Sequence, residues 1–132
     1  MPKRVLDVGQ CSLDHGSIRR LVEAQFGAQV VQAHQIHDAL ATLRKEAFDL
    51  VLVNRKLDTD GDDGLKLVQA MKADAQLSAT PVMLVTNFAE HQQTAIAAGA
   101  EPGFGKAQLD EPATREKLSR FLGRGDTEIT KR

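Results

Sequence analysis

The stretch "DLVLVNRKLDTDGDDGL", Asp49 to Leu65, runs from an unbroken apolar segment into a cluster of carboxylates. Leu50 to Val53 shows no polar alternation, the pattern of a strand covered on both faces. The segment ends at Asn54, and Asp58, Asp60, Asp62 and Asp63 follow in a Gly-relaxed loop. Helical spacing resumes in "GLKLVQAMKAD", which turns Leu65, Leu67, Val68 and Met71 inward.

The same alternation recurs on either side. Apolar runs at Val5 to Val8, Gln29 to Ala33 and Val82 to Val85 are each followed by a segment with helical periodicity. "GSIRRLVEAQF" places Ile18, Leu21, Val22 and Phe26 on one face, and Gly27 ends it as a C-terminal cap would. "HDALATLRKEA" sets Ala39, Leu40 and Leu43 inward. "EHQQTAIAAGA" reads as a helix of small residues, followed by a short strand near Pro102 to Phe104. A last helix, Glu111 to Leu122, buries Leu118, Phe121 and Leu122, with Pro112 in its first turn.

Five strands alternating with five helices predict an α/β fold, a doubly wound five-stranded parallel sheet of flavodoxin-like architecture, in one domain over residues 1–122. The tail, residues 123–132, has no apolar face and is expected to be mobile. Its Arg124-Gly125-Asp126 triplet is best read as chance.

Composition narrows the function. The chain has 132 residues, enough for one ordinary core, and its 17 basic and 18 acidic residues nearly cancel. No whole-protein field draws it to nucleic acid or to an anionic membrane. Cys11 is the only cysteine, so no internal disulfide forms. "MPKRVLDVGQ" lacks the features of a signal peptide, and no apolar run reaches the roughly 18 residues that cross a bilayer. A soluble cytoplasmic protein is expected.

In sheets of this kind function collects beyond the carboxyl ends of the strands. The segments there are Gly9 to Asp14, Asn54 to Asp63, Thr86 to Phe88 and Gly103 to Ala107. "FDLVLVN" entering a loop that closes with "DGLKLV", then "PVMLVTN", then "AGAEPGFGK", make the chain resemble a bacterial two-component receiver domain of the chemotaxis-regulator type over about residues 3 to 122. The resemblance implies an aspartate at the end of the third strand that accepts a phosphoryl group from a histidine kinase. It also implies an acidic pair after the first strand that holds Mg²⁺, and a hydroxyl and a lysine that bind the phosphoryl oxygens. On this sequence the hydroxyl falls on Thr86 and the lysine on Lys106. The phosphoacceptor position falls on Asn54 and the acidic pair on Gly9 and Gln10.

The chain departs from the family where the chemistry lies. An amide oxygen is a poor nucleophile, and neutral Gly and Gln cannot hold a hard divalent cation. Ala107 stands where a proline usually follows the lysine, Gly103 stands at the aromatic switch position, and the loop after Asn54 is about two residues longer than usual. Asp7 and Asp14 are the acids near enough to rebuild part of the pair.

The acidic loop has a plain alternative. "DTDGDDG" echoes an EF-hand, but Asp63 occupies the glycine position and Gln69 the bidentate glutamate position. A solvated turn whose last acids face the positive end of the next helix explains it better. One of these acids is expected to pair with Lys106, since a partly buried ammonium needs a counter-charge. Thr86 is as well explained by a bond to its own backbone as by a switch role. His15, His34, His37 and His91 show no metal-binding spacing and are expected at the surface or at caps.

The chain is therefore expected to be a stand-alone degenerate receiver, not an enzyme, with no metal and no cofactor. It would work as a phosphorylation-independent protein-interaction module that binds signalling partners, or a second copy, through helix four, strand five and helix five. Phe88, His91, Gln92, Phe104 and Arg120 are its candidate contacts. The alternatives are an anion or small-molecule sensor using the strand-end pocket, or a receiver phosphorylated on a loop aspartate.

Overall fold

Continuous apolar runs cannot leave either face in water, so the strands stack side by side and the helices cover both faces. The computed structural model describes residues 2–123. The tail from Arg124 onward, with its Arg-Gly-Asp triplet, lies outside the described residues.

The order is β1 (Arg4–Val8), α1 (Ser12–Phe26), β2 (Gln29–Ala33), α2 (Ile36–Lys45), β3 (Leu50–Asn54), α3 (Leu65–Ala73), β4 (Val82–Val85), α4 (Ala89–Ala97), β5 (Glu101–Phe104) and α5 (Pro112–Leu122). All neighbouring strands pair in parallel, in the order β2-β1-β3-β4-β5. This is the expected five-stranded flavodoxin-like sheet. Strand parity divides the core. Leu6, Val8, Val51, Val53 and Leu84 face α2 and α3, where Leu43, Leu67, Val68 and Met71 complete one layer. Val5, Leu50, Leu52, Met83 and Val85 face α1 and α5, against Ile18, Val22, Leu118 and Leu122.

Several boundaries differ from expectation. α1 starts at Ser12, a full turn before Gly16, so part of the anticipated loop is helix. Gly27 caps this helix in the left-handed conformation at φ 63°, as its sequence position predicts. Phe121 is only partly buried; Thr114 joins Leu118 and Leu122 inside. A 3-10 turn, Lys106–Gln108, follows β5. Among the described residues no helix is long and apolar enough to cross a membrane.

The loop from β3 to α3 returns tightly onto the strand it left. The Gly64 amide donates to the Arg55 carbonyl at 2.8 Å, and a Cβ at Gly64 would run into the Asn54 carbonyl oxygen. Backbone cannot yield there as a side chain can. Gly64→Ala is therefore expected to destabilise the fold by about 2 kcal/mol, the usual cost of overpacking, measured by urea unfolding.

Candidate functional site

Parallel pairing brings the ends of β1, β3, β4 and β5 to one rim. Asn54 sits in its centre, half-buried, and its Nδ2 donates to the Lys56 carbonyl at 2.7 Å and to the Gly9 carbonyl at 3.2 Å. Both partners can only accept, so this position calls for a donor.

The turn after β1 is closed to a carboxylate at one of its two positions. Gly9 has φ 77°, where a side chain is strained, and a Cβ there would strike the buried Leu57 side chain. Gln10 is fully buried, and neither atom of its amide has a hydrogen-bond partner. Neither expected acid from elsewhere rebuilds the pair. Asp7 lies on the α1 side of the sheet, inaccessible to solvent, with Oδ2 2.7 Å from His15 Nδ1. Burial pushes its carboxyl above the ordinary carboxylate value, while His15 pulls it back. Asp7 Oδ1 remains unpaired. His15 is thus a buried partner and not the surface or capping histidine its spacing suggests.

Asp14, in the first turn of α1, is held by Lys106 Nζ at 2.8 Å. That ammonium lowers the Asp14 carboxyl below its usual range, with a smaller push from the Cys11 thiol 3.4 Å away. The ion pair of Lys106 is therefore made with Asp14 and not with the acidic loop. The loop acids are spent nearby. Asp58 meets His34 at 3.4 Å, Asp62 pairs with Lys66 at 2.7 Å, and the Asp60 and Asp63 carboxylates accept from the Asp62 and Leu65 amides. Asp63 so takes up the first amide of α3. Among the described residues no group of three His, Cys, Asp or Glu could hold a metal ion. The donor set does not fit the Mg²⁺ that the family resemblance implies.

Thr86 ends the β4 side of the rim. Its hydroxyl accepts from the Phe88 amide at 3.3 Å, the local bond expected of a strand-end threonine, and lies 3.4 Å from His91 Nδ1. Between β3, β4 and Lys106 lies a cavity of about 320 Å³, lined by Asn54, Arg55, Lys56, Thr86, His91 and Lys106 among others.

The candidate partner face is partly corrected. Phe88 is 60% exposed and Arg120 is exposed, but Phe104 is buried against the α1 and α5 layer. The register of β4 and β5 shifts between Met83 and Val85, which changes the parity of that short strand. Gln92 is half-buried and stitches this irregularity, donating to the Leu84 carbonyl at 2.9 Å and accepting from the Gly103 amide at 3.0 Å. Sequence reasoning missed this role, because no local pattern signals a bulge here.

Comparison with known proteins gives the fold and the family. The model of the response regulator receiver domain matches residues 14–118. The transcriptional regulatory protein ZraR of Salmonella typhimurium is 34% identical over 97 residues, 71% of this chain and 20% of that protein. The chain thus spans about a fifth of the length of the curated relatives it matches. Among solved structures, the chemotaxis response regulator CheY4 of Vibrio cholerae is 26% identical, covers 94% of this chain and 98% of its own, and superposes with a TM-score of 0.66. A sensor protein from Polaromonas sp. JS666 reaches a TM-score of 0.78 at 18% identity, covering 91% of this chain and 95% of its own.

Two measurements follow from the charges. A double-mutant cycle on Lys106 and Asp14 should return a coupling of about 0.5–1 kcal/mol, as for other partly exposed pairs, and a cycle on Lys106 and Asp62 none. Asp7 gives a pH dependence. Its folded value lies above the ordinary 3.8, so its contribution to stability is complete below 3.8 and is lost as pH rises through the folded value. Asp7→Asn removes that loss. Urea unfolding should find the variant gaining stability relative to the parent between acid and neutral pH; a constant difference would contradict the assignment.

Proposed function

This chain belongs to the response regulator receiver domain family, acting in two-component signal transduction, and we propose that it works there as a phosphorylation-independent protein-interaction module. The observation that carries this reading is the Asn54 amide, which gives its N–H groups to the Gly9 and Lys56 carbonyls. A carboxylate in that place would set oxygen against two carbonyl oxygens. The amide is therefore a structural donor at the position where the family carries its nucleophile.

The surroundings support the same conclusion. The left-handed backbone of Gly9, which strains any side chain, and the Leu57 side chain behind it disfavour an acid at that position. Lys106 is neutralised by Asp14, so it stands ready for no phosphoryl group unless that pair opens. The loop acids are engaged in their own turn and in α3. With no phosphoryl switch, signalling would rest on a preformed surface. The exposed Phe88 and Arg120 belong to the face formed by α4, β5 and α5, which we assign to a signalling partner or a second copy. The domain is proposed to catalyse nothing itself and to need no cofactor.

Intact mass after incubation with a small phosphodonor and Mg²⁺ tests this. The native chain should gain no labile phosphoryl group. Asn54→Asp should gain none either, and should unfold more easily at neutral pH by about 1–3 kcal/mol, because a buried-side donor is exchanged for a repelled carboxylate. One phosphoryl group on the native protein would overturn the reading and send attention to Asp58, Asp60, Asp62 and Asp63.

A further inference from the structure

The two edges of the sheet are finished differently. On β5, Pro102 has no amide hydrogen, the Gly103 amide donates to Gln92 Oε1 at 3.0 Å, and the Gly103 carbonyl accepts from Lys117 Nζ at 2.8 Å. Side chains from α4 and α5 thus take up backbone groups that β4 does not. β2, at the other edge, has no such cover. The Gln29 amide donates to the Lys3 carbonyl and the Ala33 carbonyl accepts from the Gly9 amide, so Gln29, Val31 and Ala33 turn their peptide groups toward β1. Val30 and Gln32 must then turn theirs outward, and among the described residues nothing meets those amides and carbonyls. The strand holds neither proline nor charge, and Val30 and Val31 are only partly buried, each against a different core layer. An open ladder of this kind is a template for another strand.

We propose that the β2 edge is the contact for a second copy of this chain, the two β2 strands pairing antiparallel about a two-fold axis at Val31. Only this register uses every free group. With Val31 opposite the partner's Val31, Val30 exchanges both its hydrogen bonds with the partner's Gln32, and the axis repeats the exchange on its other side. The two Val31 side chains form the close, non-hydrogen-bonded pair, a β-branched contact that covers what one copy leaves half-exposed. The axis stands normal to the sheet, so each helical layer continues across the contact on its own face. Because β2 carries no ionisable side chain, the symmetry sets no like charges opposite one another within the paired strands. The α4, β5 and α5 face lies at the far edge, where a dimer built this way leaves both copies of it open to a signalling partner. The inference goes beyond the function proposed above and does not rest on it.

Sedimentation velocity on the full chain should find a reversible monomer–dimer equilibrium. Amide exchange followed by NMR should find Val30 and Gln32 slowed as the dimer fills, with the already bonded Gly103 amide unchanged. Gln32→Pro removes the outward amide without touching the ladder to β1 and should weaken association roughly tenfold or more, the worth of the two hydrogen bonds lost across the axis. Gln32→Lys keeps the backbone intact and should weaken it as well, so a proline variant that failed to fold would leave the test standing. A chain that stays monomeric up to roughly 1 mM, the weak end of specific association, would overturn the proposal and leave the edge to a foreign strand. A dimer that survives both variants, or one whose Val30 and Gln32 amides exchange as freely as in the monomer, would overturn it too.

Discussion

The constraint on which the molecule depends is the burial of β3 on both faces and both edges. Its backbone pairs with β1 on one side and β4 on the other, and Leu50 to Val53 alternate between the two helical layers with no solvent exposure. An unpaired peptide group there would cost more than most side-chain contacts return, so the strand is fixed along its whole length. The chain can leave this environment only at the rim. Asn54 is the last paired residue, opposite Val85, and is therefore placed by the sheet rather than by its own preferences.

A fixed Asn54 then decides what the rim can be. Its amide ties the turn after β1 to the turn after β3, and the Asp58 amide adds a second bond to the Gly9 carbonyl at 3.0 Å. Leu57 is drawn beneath that turn and becomes a core residue in the middle of a polar loop. Its side chain fills the space that an acid at Gly9 would occupy. The Asn54 amide and the Leu57 plug thus secure the same turn, from its polar and its apolar side. Asp7 Oδ1, near the end of the same strand, and the Gln10 amide, next to Gly9, are left without hydrogen-bond partners.

Much of this was legible in the sequence, and the parts that were not have a common cause. Continuous apolar runs, helical spacing and the Gly27 cap depend on neighbours within one element, and they specified the strands, the layers and the positions of Asn54, Thr86 and Lys106. The partner of Lys106 depends on which turn α1 adopts at its start, and the Gly16 region does not look helical when read alone. Asp7 and His15 meet only because a strand residue faces the first turn of the helix that follows. Phe104 turned inward because of a register shift that no local pattern announces. Pairings that link separate elements carry no periodicity, so the acids were visible as candidates while their partners were not.

The charge balance of the rim argues that its losses belong together. Clustered carboxylates repel one another and need a divalent cation or a proton to coexist. Had Asn54 alone replaced an acid, the remaining pair would still demand a counter-ion. With Gly9 and Gln10 neutral as well, one ammonium is left to balance, and Asp14 does so from a helix start, where the N-terminal dipole favours a carboxylate. Arg55 and Lys56 stand further along the rim, where Arg55 shares a cavity with Asp63 and Lys56 lies against Gly61 of the acidic loop. A rim with one ammonium and one carboxylate closes its charge within the chain, and it needs no divalent cation to hold the ends of β1 and β5 together.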